Sequence, residues 1–325
     1  MHITRAYNSF QFNERKGTIT KISKEDRLID EINYYKSIYY YKNCSIYFPR
    51  FISSNTDKEN SLELEYYAYN NLGDLMIYKE FDECLWENIT KQLMYILDEF
   101  SKNKTPLSKF NLVKSMYIDK TEKYYNDLIT SFKEFQIIHQ HQNLKINGID
   151  YLNFDIIWPK IKVIIEDHEF LSFNEQTIIH GDFCFSNILC GVNEVSKIPV
   201  LKLIDPRGSF GEIGVFGDPM YDYAKLYHSF VGGYENIIFD KFCLTYNKRL
   251  DSIDFILLND KNLKKIEEVF KQYDIFNSLK VKLICGLIFI GMCSRHYDSL
   301  YRQIIMYCTG IKMLNEFLNE YEKNS

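Results

Sequence analysis

At 325 residues the chain is long enough for one large domain or two smaller ones, with ample core. Hydrophobic residues make up 46% and charged residues 26%, and 14 Gly with 6 Pro leave little room for a long disordered linker. A formal net charge of −5 and a pI near 5.9 set aside a protein whose main task is gripping nucleic acid, so any anionic ligand must be met by a few local cations.

The 26 Tyr and 24 Phe, alongside many Lys, Asn and Ile, are consistent with codon bias as much as with function. The eight cysteines (44, 84, 184, 190, 243, 285, 293, 308) are scattered without a C-x-x-C pair, which argues against a zinc or redox motif. The opening "MHITRAYNSF" lacks the apolar run of a signal peptide. The most apolar window, "LICGLIFIGMC" at 283–293, is too short to span a bilayer. The expectation is a reduced, cytoplasmic protein with no membrane span and no nucleic-acid partner, of unspecified oligomeric state.

Along the chain, "SFQF" and "GTITKIS" flank the turn-like "NERKG" and predict a hairpin. In "TITKI", Ile19 and Lys21 share one face, and Thr18, Thr20 and Ile22 the other. "SKEDRLIDEINYYKSIYYY" predicts a helix capped by Ser23, with Leu28, Ile32, Tyr35 and Tyr39 as its apolar stripe. Glu31 flanks that stripe and can point into a cleft. "YFPRFIS" and "SLELEYYAY" predict two more strands, the second alternating Leu62, Leu64 and Tyr66 with Glu63 and Glu65. Asn70, Asn71 and Gly73 supply turn chemistry at a boundary near residues 67–75. The predicted fold class is therefore α+β, with an antiparallel N-terminal lobe at 1–70 and a larger, mostly helical lobe at 71–325. Strand signal returns around 177–204, and 219–325 is expected to be helical again.

The informative stretch is "IIHGDFCFSNILC", residues 178–190, followed by "GVNEVSKIP" and "VLKLID". Two short strands joined by a turn around Gly191 and Asn193 bring Asn187 and Asp205 to the same end of a hairpin. Asp182 sits on the loop just before. An Asp, a carboxamide and a second Asp then converge, an oxygen-rich set suited to a hard divalent ion such as Mg²⁺. A turn that merely happens to be polar is the competing explanation of "HGD" taken alone.

The order His-x-Asp-x-x-x-x-Asn, then Asp after a hairpin, matches the protein-kinase catalytic loop and its metal-binding Asp. The variant "HGDFCFSN…LIDPRG" more closely resembles the aminoglycoside phosphotransferase and choline kinase superfamily, which has a protein-kinase-like two-lobed fold. That resemblance implies Asp182 as the base toward a substrate hydroxyl and His180 as a brace for the loop. Asn187 and Asp205 would hold Mg²⁺ on the phosphates of ATP or another NTP. It further implies Lys21 as the phosphate-contacting lysine, Glu31 as its helix partner and Ile19 as a roof over the base. "LELEYYAYNNLGDL" resembles the inter-lobe hinge, where backbone groups around Tyr66 and Tyr67 would read the base edge.

The pattern departs from the family in one respect: "TRAYNSFQFNERKG" contains no Gly-rich loop, and Asn8 and Ser9 stand where phosphate contacts are expected. In "PRGSFGEIGVFGDPMYDYAKL", Gly recurs at 208, 211, 214 and 217, as expected of a loop with positive-φ turns. Asp218 and Pro219 read as a helix start, and Asp222 resembles the family Asp that supports the catalytic loop. Arg207 reads as a phosphate or acidic-substrate contact, or as a salt-bridge partner within the loop. "IDPRGSFG", "GDPMYDYAKL" and "EINYYKS" resemble bacterial kinases associated with capsule or surface-polysaccharide synthesis. His296 and Arg302, in "CSRHYDSLYRQ", are further acceptor-site candidates. The expected activity is γ-phosphoryl transfer to a hydroxyl of a small polar metabolite such as a sugar, polyol or amino alcohol. The competing class is a kinase-like pseudoenzyme that binds nucleotide or a partner without turnover.

Overall fold

The computed structural model describes residues 8–57, 59–107, 111–193 and 195–324. Their backbone groups into two compact units. The first takes the chain up to Leu75 together with Cys84–Pro106 and Glu175–Asp222; the second takes Met76–Glu83, Leu107–Asn174 and the chain from Tyr223 on.

In the first unit, strands β1 (Asn8–Asn13) and β2 (Thr18–Ser23) form the expected hairpin, in the register Phe10↔Lys21. Helix α1 (Arg27–Ile38) follows, then β3 (Phe51–Asn55) and β4 (Asn60–Glu65), and the antiparallel sheet runs β1-β2-β4-β3. Leu62 and Leu64 of β4 are buried while Glu63 and Glu65, which follow each of them, are more exposed, as period-two alternation requires. Each buried leucine contributes about 1.5–3 kcal/mol of transfer free energy. Leu28, Ile32 and Tyr35 of α1 are buried as a stripe.

Two details of α1 differ from expectation. Ser23 ends β2 instead of capping the helix, and its Oγ accepts from the Glu25 N–H (3.2 Å) in a tight turn. The helix stops at Ile38, so Tyr39 leaves the stripe and is 61% exposed.

Beyond β4, the pair Asn70–Asn71 hydrogen-bonds to the strand Ile188–Val192, and Asn71 Oδ1 accepts the Asp74 N–H (2.8 Å) at the start of the helix Leu72–Tyr78. The strands Ile188–Val192 and Pro199–Leu203 pair antiparallel, with Ile188 opposite Leu203. Their connection turns on Asn193, whose Oδ1 accepts the N–H groups of Val195 and Ser196.

The second unit is built on helices such as Phe154–Glu166, Leu279–Cys293 and Leu300–Asn324. It also contains a four-stranded sheet that corrects the helical expectation for 219–325. Phe242–Tyr246 pairs with Ser252–Leu257, which runs parallel to Asn143–Ile146, and Ile149–Leu152 forms the far edge. Among the described residues no helix is long and apolar enough to cross a membrane.

Candidate active site

The predicted residues Lys21, Glu31, His180, Asp182, Asn187 and Asp205 all lie within the first compact unit. Lys21 projects from β2 and Glu31 from α1, and the Lys21 ammonium is 2.7 Å from Glu31 Oε2 and 2.8 Å from Asp205 Oδ1. Ile19 lies two residues before Lys21 on β2, opposite Leu64 of β4.

One cation between two carboxylates leaves the cluster one negative charge over, and burial decides which carboxylate carries it. The Glu31 side chain is 7% exposed and Asp205 45%. Burial pushes Glu31 up to about 7 against the pull of Lys21, and Glu31 Oε1 is buried with no hydrogen-bond partner among the described residues. For Asp205, loss of hydration works against the charge, but the Lys21 ammonium outweighs it and holds the carboxyl below its ordinary range. Burial works against the Lys21 charge too, yet Asp205 and Glu31 together raise it above its usual value.

The loop after the strand Glu175–Ile178 is held by its backbone. Asp222, 1% exposed, accepts the N–H groups of His180 (2.6 Å) and Gly181 (2.8 Å), and it sits on the helix Pro219–Phe230. That helix begins as expected, with Asp218 Oδ1 accepting the Met220 N–H (2.9 Å). His180 Nε2 lies 3.0 Å from the Ile204 carbonyl, and Nδ1 accepts the Asp182 N–H (3.2 Å). A carbonyl only accepts and an amide N–H only donates, so these partners select the neutral Nε2–H tautomer. The ring stacks on Phe48 at 5.9 Å. His180 thus ties the loop to the segment that carries Asp205. Gly181 has φ +77°, and a Cβ there would stand 2.7 Å from Arg207 Cβ, which explains the glycine of "HGD".

Asn187 Nδ2 donates to Asp182 twice, to its carbonyl (2.9 Å) and to Oδ2 (3.0 Å). The amide therefore orients the carboxylate and leaves Asn187 Oδ1 as the donor for a cation. The Ile204 N–H donates to the Asn187 carbonyl (3.0 Å), which keeps Asn187 and Asp205 at one end of the hairpin. An Asn–Asp pair of oxygen donors fits Mg²⁺, which commonly takes one or two protein ligands and completes its shell with phosphate oxygens and water. Among the described residues no group of three or more His, Cys, Asp or Glu is arranged to hold a metal ion, so an ion here would rely on that pair and on its ligand's oxygens.

The remaining candidates are placed as follows. The Tyr66 N–H donates to the Gly17 carbonyl (2.9 Å). Tyr67 donates to Glu65 Oε2 (3.1 Å) and lies under the Lys202 ammonium. Arg207 Nη1 donates to the Tyr221 hydroxyl (3.0 Å), and its N–H to the His180 carbonyl (2.9 Å). Asn8 and Ser9 lie on β1, paired with Ser23 and Ile22. His296 and Arg302 belong to the second unit. There His296 is buried beside Tyr234, and Arg302 forks onto both carboxylate oxygens of Asp240 (2.8 and 2.7 Å) and onto Asp298 (2.9 Å). Sequence reasoning missed Asp240 as that partner, because nothing local links positions 62 residues apart.

Among solved structures, the chain is similar to a thermostable mutant of aminoglycoside phosphotransferase APH(4)-Ia in its apo form. The TM-score is 0.56 at 10% identity, covering 97% of this chain and 94% of that one. APH(4)-Ia itself gives a TM-score of 0.51 at 10% identity, covering 97% and 92%. No family model matches the sequence, and no curated protein matches it. The fold is that of the protein-kinase-like aminoglycoside phosphotransferases.

Proposed function

We propose that this protein is a phosphotransferase that moves the γ-phosphoryl group of ATP, or of another NTP, to a hydroxyl of a small polar metabolite. The observation that carries the reading is the Lys21 ammonium held between Glu31 and Asp205, in a chain whose fold is shared with aminoglycoside phosphotransferases. A lysine fixed in this way meets nucleotide phosphates without first having to be ordered.

In this reading residues 1–70 form the nucleotide lobe and residues 71–325 the lobe that carries the catalytic loop and acceptor site. Asp182 accepts the proton of the acceptor hydroxyl as that oxygen attacks the γ-phosphorus, while the bond from the γ-phosphorus to the β,γ-bridging oxygen breaks and the nucleoside diphosphate leaves. Asn187 keeps the Asp182 carboxylate turned to the substrate through its 3.0 Å amide contact. His180, whose ring meets the Ile204 carbonyl and the Asp182 N–H, braces the loop. Mg²⁺, held by Asn187 and Asp205, would offset the charge developing on the transferred phosphoryl group. A positioned base contributes about 10²–10⁴ in rate, and electrostatic positioning supplies much of the rest.

Sugars, polyols and amino alcohols are the acceptor classes proposed, with Arg207 as a contact to an anionic group on the acceptor. Surface-polysaccharide metabolism, in the cytoplasm, is the proposed setting. A coupled ADP-release assay over a panel of these alcohols, with Mg²⁺ and ATP, tests the proposal. Acceptor-dependent ADP release supports it, and nucleotide binding without ADP release on any acceptor would favour a binding module.

A further inference from the structure

Gly208, on the segment that follows Asp205, lies against helix α1 at Asp30. A Cβ built on Gly208 would stand 2.2 Å from the Asp30 carbonyl oxygen and 2.4 Å from its carbonyl carbon. The obstacle is helix backbone, so no side-chain rotation relieves it, and one of the two segments has to move by about 1 Å to reach ordinary contact.

The segment after Asp205 is tied in place at several points. The Arg207 N–H is bonded to the His180 carbonyl (2.9 Å), and the Gly208 carbonyl accepts the Gly214 N–H (2.9 Å). Arg207 Cβ fills the space left by Gly181, and further along Phe216 pairs with Ile178 and meets the ring of Tyr41 edge-on. Helix α1 is held as well, by its buried Leu28, Ile32 and Tyr35 and by the Tyr34 hydroxyl on the Ile179 carbonyl (2.9 Å), so a displacement is shared between the two segments. Asp30 directly precedes Glu31, so a shift there is carried to the 2.7 Å contact with Lys21.

We propose that Gly208 is a positioning residue. Its lack of a side chain lets the segment after Asp205 seat against the Asp30 carbonyl, and that seat sets how Glu31 meets Lys21. Its consequence for phosphoryl transfer rests on reading the Lys21 cluster as the nucleotide site; the structural coupling itself does not. A loop that carries Asp205 and also seats the helix of Glu31 makes the three charged groups move as one unit.

The test is a double-mutant cycle on thermal stability. Lys21→Met, Glu31→Gln and the pair are compared in the wild-type and Gly208→Ala backgrounds. In the wild-type background the double variant should lose clearly less Tm than the sum of the singles. In Gly208→Ala the losses should simply add, and the Tm gain from Mg²⁺ plus ATP should shrink.

Gly208 has φ +73°, so alanine also brings a backbone penalty there. Gly148→Ala is the matched control, with φ +79° and nothing within 4 Å of a Cβ, and it should leave both the cycle and the ligand response as in the wild type. A Lys21–Glu31 coupling that survives unchanged in Gly208→Ala overturns the proposal. If that variant does not fold, Arg207→Gly, which unseats the same segment beside Gly181, must weaken the coupling, and an unchanged coupling is again fatal. Should Mg²⁺ and ATP shift the Tm of none of these proteins, the nucleotide reading fails while the cycle still decides the role of Gly208.

Discussion

The Lys21 ammonium lies 2.8 Å from Asp205 Oδ1, although 184 positions separate the two in the chain. The contact joins the β1-β2-β4-β3 sheet to the end of the hairpin Ile188–Val192/Pro199–Leu203, and it brings the proposed phosphate-binding lysine and metal-binding aspartate to one point. Removing either partner leaves a charge in a partly desolvated place, so both ligand binding and stability should respond.

Asp205→Ala is expected to abolish the Mg²⁺-dependent part of the thermal shift produced by ATP. Lys21 keeps Glu31, so a smaller metal-independent response to the nucleotide should remain. Differential scanning fluorimetry with ATP, with and without Mg²⁺ or EDTA, reads this directly. A full Mg²⁺-dependent shift in the variant would remove Asp205 from the metal site.

The buried carboxyl of Glu31 makes a pH prediction. Its value is raised from 4.5 to about 7 in the folded protein, so between those limits the folded state binds more protons than the unfolded chain. Stability contributed at this site is therefore greatest below about pH 4.5, falls as pH rises through about 7, and is level above. Asp205 is shifted the other way, so its contribution is present above its ordinary value of 3.8 and is lost only in stronger acid. The unfolding free energy of the wild type, from urea denaturation, should decline between pH 5 and 8 relative to Glu31→Gln, by roughly 1–3 kcal/mol across the window. Parallel profiles for the two proteins would contradict the raised value.

Asp222→Asn replaces a carboxylate that accepts two backbone N–H groups by an amide with one oxygen. One buried N–H of His180 or Gly181 is left facing an NH₂ group. The expected loss is about 1–3 kcal/mol of unfolding free energy. The loop displacement should lower transfer further than binding. Denaturant unfolding together with ATP affinity measures both, and a variant as stable as the wild type would show that this anchor is dispensable.

The parts of this structure legible in the sequence share a cause: their signals are local. The β1–β2 hairpin, the Leu62/Leu64 alternation, the Asp218–Pro219 helix start and the return of Asn187 toward Asp205 each follow from spacing over a few residues. What was not legible depends on distant partners. The strands Asn143–Ile146 and Ser252–Leu257 are short, sit among helices and pair in parallel across more than 100 positions, so neither looks like half of a sheet. The engagement of the Tyr66 N–H by Gly17, and the close approach of Gly208 to Asp30, likewise depend on neighbours that the sequence does not place. Glu31 shows the boundary between the two kinds. Its position on the helix followed from spacing, but its raised pKa needed the burial of α1 and the nearby charge of Asp205.

The most direct test of the central claim is phosphorus NMR of ATP with Mg²⁺ and a panel of sugars, polyols and amino alcohols, in the presence of the wild type or of Asp182→Ala. The account predicts that, with an accepted alcohol, the wild type converts the γ-phosphorus signal into a new phosphomonoester signal. It also predicts that Asp182→Ala binds ATP with similar affinity and slows that conversion about 10²–10⁴-fold. Equal conversion by the two proteins, or ATP binding by the wild type with no phosphomonoester formed on any acceptor, would contradict it.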